Sequence, residues 1–352
     1  MLPRERVRRA FAREATDRVP LFYRDVPEVE ARLRADLGLA SRDALLEYLR
    51  IDFRWVEPAY IGPPLEVPAT GHRRDIWGVE YSWIEAGHGG QWEPVAFPLM
   101  DVEDPAALAD YPWPTVDWFD FSVLDQQLQR YRDYAIMTAP GVASPGVLNT
   151  IQFLVGMERA MSDMLLNPAF FRALSERILT FHLEFIRRFY AVAGERIDFF
   201  RIGEDYGTQR GLLFGPELWR EFIRPTLLAM SRVPQAAGSL YYQHTCGAVR
   251  TLIPDLIATG VDVLDPLQVK ATGMVPAELK AEFGDRLCFS GGVDEQELLP
   301  HGSPAAVAAA VRGLIRVMAA GGGFFLGPTH NFQADIPTEN IVAMYQAAQE
   351  AA

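Results

Sequence analysis

The sequence predicts an α/β protein folded as a (β/α)₈ TIM barrel with a small insertion between its second and third strands. Two observations carry that prediction. Eight short, β-rich apolar runs alternate with longer helical patterns through most of the chain, the arrangement that produces parallel βαβ units. Residue types that do chemistry also fall just past five successive runs, where such a barrel keeps its active-site mouth. A doubly wound open sheet would show the same alternation.

Taken in order, the eight runs are Val19 to Tyr23, Asp52 to Val56, Ala135 to Thr138, Ile197 to Ile202, Ser239 to Gln243, Val261 to Leu264, Leu287 to Ser290, and Phe324 to Leu326. The start, Met1 to Arg18, reads as a first helix that ends before Asp17 and lacks the apolar core of a secretory signal. The clearest helix is Pro168 to Ala193, where Phe170, Leu174, Ile178, Phe181, Phe185 and Phe189 recur at spacings of three and four. Others are expected near Pro216 to Ala229, Ala248 to Ala258, Pro304 to Ala320 and Thr338 to Ala351. The stretch 61–120 is rich in Gly, Pro and Trp and breaks the alternation. Within it, Asp75-Ile76-Trp77-Gly78-Val79-Glu80-Tyr81 reads as a small hairpin, either a lid over an apolar substrate or a small core of its own. No repeat or low-complexity linker interrupts the rest, so a single domain over 1–352 is expected.

Composition removes several function classes. The net charge of −13 argues against a nucleic-acid partner, which needs a basic face to displace counterions. No apolar run is long enough to span a membrane. Only two cysteines occur, Cys246 and Cys288, which is no disulfide framework and fits a reducing cytoplasm. A homodimer is the default expectation for a soluble oligomer.

The most informative stretch is Tyr241-Tyr242-Gln243-His244-Thr245-Cys246-Gly247. Residues i and i+2 of an extended segment point the same way, so imidazole and thiol can converge on one metal ion, and the pair suits Zn²⁺. The third ligand is sought in Leu326-Gly327-Pro328-Thr329-His330-Asn331: His330 lies past the eighth strand and could complete a site that leaves a fourth position open. Cys288 competes for that role, but it lies inside a strand and reads as a core residue. Glu204 and Asp205 follow the fourth strand as candidate catalytic carboxylates, either of which could fill the fourth position or orient a ligand. Asp265 follows the sixth strand and Asp294 the seventh; each could instead cap the next helix, and that role is the expected one for Asp294. His72, His88, His182 and His301 are read as structural.

With these residues in view, the chain resembles the uroporphyrinogen decarboxylase superfamily, and more closely its methyltransferase-like branch. The resemblance rests on Arg4-Glu5-Arg6-Val7 through Asp17-Arg18-Val19-Pro20, on Asp205-Tyr206-Gly207-Thr208-Gln209, and on His244-Thr245-Cys246-Gly247. It continues in Ser290-Gly291-Gly292-Val293-Asp294 and Ile336-Pro337-Thr338-Glu339-Asn340-Ile341. It implies a (β/α)₈ barrel. The branch resembling methylcobamide:coenzyme M methyltransferases holds zinc with a His-x-Cys pair and a later Cys. His244 and Cys246 match, and His330 stands about where that later thiolate is expected. The exchange leaves a more electrophilic metal, suited to activating an oxygen or nitrogen substrate. True decarboxylases carry an Arg-Gln-Ala-Gly-Arg-Tyr stretch after the first strand, where this chain has Tyr23-Arg24-Asp25-Val26-Pro27, and no cationic cluster is visible that would hold many carboxylates.

The expectation is therefore a cytoplasmic zinc-dependent methyltransferase-like enzyme. Its metal ligands are His244, Cys246 and His330, and its catalytic carboxylates Asp205 and Glu204. The expected contacts to a small-molecule substrate are Asp265, Asn331, Gln209 and Tyr81. A corrinoid (cobalamin) would be carried by a partner protein docked over the mouth. The alternatives are a metal-free decarboxylase acting on a porphyrinogen or smaller acid, and a non-catalytic ligand-binding barrel.

Overall fold

A computed structural model describes residues 1–67, 71–86, 89–142 and 145–351; His88 lies outside the described residues. The fold is α/β, centred on a curled sheet of seven parallel strands. They are Phe53–Val56, Ala135–Thr138, Phe199–Gly203, Leu240–His244, Val263–Leu267, Cys288–Val293 and Phe324–Pro328, and each lies beside the next in chain order. Helical crossovers join most of them, as parallel neighbours require. The curl brings the first and last strands together: the Phe53 ring meets Phe325 at 5.3 Å and Phe199 at 5.7 Å. With Phe22, Tyr242 and Val263 these rings fill the concave interior.

The expected first strand, Val19 to Tyr23, is a bridge rather than a strand. Leu21 forms an isolated parallel bridge to Leu326, and the Phe22 amide donates to the Leu326 carbonyl. On its other side the Asp52 amide donates to the Leu21 carbonyl. One carboxylate secures the segment: fully buried Asp52 accepts from the Leu21 amide (2.7 Å), Arg18 (2.7 Å) and Arg6 (2.5 Å).

The long helix is Pro168–Ala193, as its period predicts. Asn167 caps it by accepting from the Phe170 amide, and Pro168 takes a first-turn position where no amide hydrogen is needed. All six of its predicted apolar positions are buried. The helix expected at Pro216 to Ala229 differs. It begins at Pro216–Leu218, widens into a π turn over Trp219–Ile223, and continues as Arg224–Ala236. Pro225 offers no amide hydrogen and its ring crowds the preceding turn, so the helix widens there.

Between Phe53–Val56 and Ala135–Thr138 the chain builds more than the expected hairpin. Glu66–Val67, His72–Arg74, Glu80–Ala86 and Gly89–Ala96 form a four-stranded antiparallel sheet, and Ala59–Tyr60 pairs with Phe119–Asp120. Trp83 and Trp92 face each other across two strands, with ring centroids 5.6 Å apart. Trp77 instead belongs to the main core, at 5.0 Å from Phe181 on the long helix. The aromatic residues of this segment are thus shared between its own small sheet and the main core.

Replacing Asp52 by Ala would take the carboxylate partner from Arg18, at 10% side-chain exposure, and leave Arg6 with Asp17 alone. The expected cost is about 3–5 kcal/mol of stability, read as a lower midpoint in urea unfolding.

Candidate active site at the strand ends

Along a strand, every second side chain faces the interior. Two residues past interior Phe22, Phe199, Tyr242 and Val263 stand Arg24, Arg201, His244 and Asp265. The apolar interior is therefore overlaid by a charged layer on the side where the strands end. Asp265 is its centre, fully buried within its strand. Its Oδ2 lies 2.7 Å from His244 Nδ1 and accepts from Arg24 Nη1 at 3.1 Å. Burial alone would raise this carboxyl, but the Arg24 guanidinium and the His244 hydrogen bond outweigh it and hold it below the usual carboxylate range. An ionised Asp265 draws the ring proton to Nδ1 of His244 and leaves Nε2 as a free lone pair. Burial, with Arg201 and Arg24 nearby, lowers the His244 pKa. The 3.0 Å approach of Arg24 Nη1 to Nδ1 is that of two donors sharing one acceptor.

Nε2 of His244 faces Cys246 Sγ at 3.7 Å. His330, half-exposed two residues beyond the Phe324–Pro328 strand, closes the group: ligand atoms of His244, Cys246 and His330 all lie within 4.8 Å of one another. Desolvation, with Arg24 and His244 nearby, pushes His330 down to about 4, and burial and Asp205 push the Cys246 thiol well above its ordinary value. Zinc bonds of about 2.0 Å to nitrogen and 2.3 Å to sulfur give a tetrahedral N to S edge of about 3.5 Å, close to the 3.7 Å spacing of His244 and Cys246.

Asp205 and Glu204 part company. Asp205 accepts from the Cys246 amide at 2.7 Å and stands 3.8 Å from His244 Nε2, on the wall of a cavity that includes His244. Glu204 is fully buried and turned elsewhere. It accepts from the Leu148 amide and the Tyr206 hydroxyl, both at 2.7 Å, while burial pushes it up to about 7. The loops carrying Asp205 and Cys246 touch at their backbones. A Cβ on Gly247, which has φ of +95°, would overlap the Gly207 carbonyl carbon, and one on Gly207 would lie 2.8 Å from the Cys246 oxygen.

Among the expected substrate contacts, Tyr81 lines the cavity and donates to Asp75 at 3.0 Å, and Asp265 supports His244 from below. Gln209 is exposed and Asn331 half-buried, and neither is on the cavity wall. Cys288 is buried in the interior beneath the charged layer, and Asp294 caps the following turn by accepting from the Gln296 and Leu298 amides. Arg24, Arg201 and Glu295 were not among the sequence candidates. The first two follow interior positions at period two, a signal present in the sequence. Glu295, 3.8 Å from His330 Nδ1, had none beyond its proximity to Asp294.

The family model for uroporphyrinogen decarboxylase (URO-D) matches residues 142–351. No curated protein matches the chain. Among solved structures, the fold is similar to that of a methyltransferase from Methanosarcina mazei, with 17% identity, a TM-score of 0.66, and coverage of 99% of both chains. No helix among the described residues is long and apolar enough to cross a membrane.

Removing the Asp265 carboxylate would leave Arg24, at 5% side-chain exposure, as an uncompensated buried charge. Asp265→Ala is expected to cost about 3–5 kcal/mol in urea unfolding, and Arg24→Met with Asp265→Ala to recover most of that loss.

Proposed function

The chain belongs to the uroporphyrinogen decarboxylase family, and on that premise we propose that it is a zinc-dependent, methyltransferase-like enzyme with His244, Cys246 and His330 as its metal ligands. The observation that carries the proposal is the convergence of those three donor atoms within 4.8 Å, on one histidine whose tautomer Asp265 sets. The donor set is one that zinc takes in catalytic sites, three protein ligands with one position left for substrate. Bound there, zinc would lower the pKa of a substrate heteroatom so that its reactive anion forms at neutral pH. Likeness of fold to a methyltransferase agrees with this reading.

The remaining roles belong to the chain itself. Asp205, anchored to the Cys246 amide beside the ligand set, receives or returns the proton of the reacting heteroatom. Arg24 and Asp265 fix His244 so that its Nε2 keeps one direction. The segment Val19 to Tyr23 is read as the first member of a (β/α)₈ barrel in a single domain over 1–352, with 61–120 inserted. A small methyl donor or acceptor is the substrate, and a separate corrinoid protein docks over the mouth. A homodimer in the cytoplasm is the expected setting. A metal-free decarboxylase is the second reading, favoured by the buried guanidinium groups of Arg24 and Arg201 near the mouth.

Protein purified without chelators is expected to carry close to one zinc per chain, and Cys246→Ala and His330→Ala to lose most of it. No zinc under metal-replete conditions would overturn the proposal and move the decarboxylase ahead. Metal affinity should also depend on pH in a defined direction. Burial and the nearby arginines favour the neutral forms of His244 and His330, whereas the raised Cys246 thiol must give up a proton on binding. Apparent zinc affinity, measured by chelator competition, is expected to rise about tenfold per unit from pH 6 to 8. A flat profile would remove the thiol from the ligand set.

A further inference from the structure

The cavity that reaches His244 and Asp205 has a volume of about 470 Å³, and part of its wall is aromatic: Trp77, Tyr81 and Phe153. His182, on the long Pro168–Ala193 helix, is on this wall too. The residue is 3% exposed, and its ring centroid lies 5.5 Å from that of Trp77 and 5.6 Å from that of Phe181. Neither ring nitrogen has a hydrogen-bond partner among the described residues. Asp75, on the same wall, contrasts with it, accepting from the Trp77 and Val79 amides and the Tyr81 hydroxyl. Buried polar atoms are nearly always paired, and a histidine used only as core filling among Phe and Trp would be replaced by an apolar side chain without loss. Desolvation pushes His182 down to about 3, so its imidazole is neutral and offers one N–H and one lone pair.

We propose that His182 is a specificity-determining residue for a ring-bearing substrate. The ring lies among Trp77, Tyr81 and Phe153, the reacting heteroatom points toward His244, Cys246 and His330, and a second, neutral group, a hydroxyl or a carbonyl, hydrogen-bonds to the His182 imidazole. Placement of the reacting end rests on the proposed function above; the His182 contact does not. A neutral, desolvated imidazole favours a neutral partner over an ion. The volume suits a small ring compound, since ligand pockets begin at about 300 Å³.

The test compares three probes by calorimetry on the full chain: benzyl thiol and its 3-hydroxy and 4-hydroxy derivatives. Each is titrated into zinc-loaded and chelator-treated protein, for the parent, His182→Phe and His182→Gln. The expected result is that the parent prefers at least one hydroxylated probe by about tenfold or more. His182→Phe should lose that preference while still binding benzyl thiol, and His182→Gln should keep part of it. A parent without preference, a preference that survives in His182→Phe, or failure of all three probes to bind would each overturn the assignment. Failure of the zinc reading would show separately, as affinities for all three thiols unchanged by metal removal. It leaves the comparison between hydroxylated and plain probes intact.

Discussion

The site depends on one buried interaction, the convergence of Arg24 and His244 on the carboxylate of Asp265. The three groups come from the segment after Tyr23 and from two neighbouring strands, so the interaction ties the start of the chain to its middle. Its value lies less in net stability than in direction. A buried ion pair often does no better than a well-packed apolar cluster of the same size, because desolvation offsets most of the Coulomb attraction. What an apolar cluster could not do is fix which nitrogen of His244 carries the proton. With Nδ1 committed to Asp265, Nε2 is the nitrogen that faces Cys246, in the group that His330 completes.

Much of this was legible in the sequence. The period of Phe170 to Phe189 marked the long helix because one face of it is buried along its whole length. That His244, Cys246 and His330 lie together was readable from the i, i+2 spacing of the first two and from the gathering of strand ends at one side of a parallel sheet. The illegible parts have physical reasons. Glu204 and Asp205 are adjacent, and one residue decides which of them enters the cavity; a strand end placed slightly off cannot separate them. Gln209 and Asn331 lie in loops, where no period constrains the side chain. The strands Glu66–Val67 and His72–Arg74 are too short to show alternation, and their pairing depends on a neighbour rather than on their own pattern. Arg24 and Arg201 could have been found by carrying the interior period two residues further.

Charge is distributed against the overall balance. The chain carries a net charge of −13, yet two arginines are buried beneath the mouth, where the low dielectric makes each count for more than several at the surface. An anionic ligand would gain little from the long-range field and most from contacts made after entry. Such a ligand would be held by short-range contacts, the kind that the aromatic wall beside His182 also offers.

The backbone contact between Gly207 and Gly247 bears on how such a site can change over time. Neither glycine can acquire a side chain while the other loop stays in place, because the space is already filled by main-chain atoms. Asp205 and Cys246 flank that contact and move with it. Drift at one loop is thus barred until the other has shifted, and a lineage seeking new chemistry here would find it easier to exchange the side chains facing the cavity than to reshape the loops that present them.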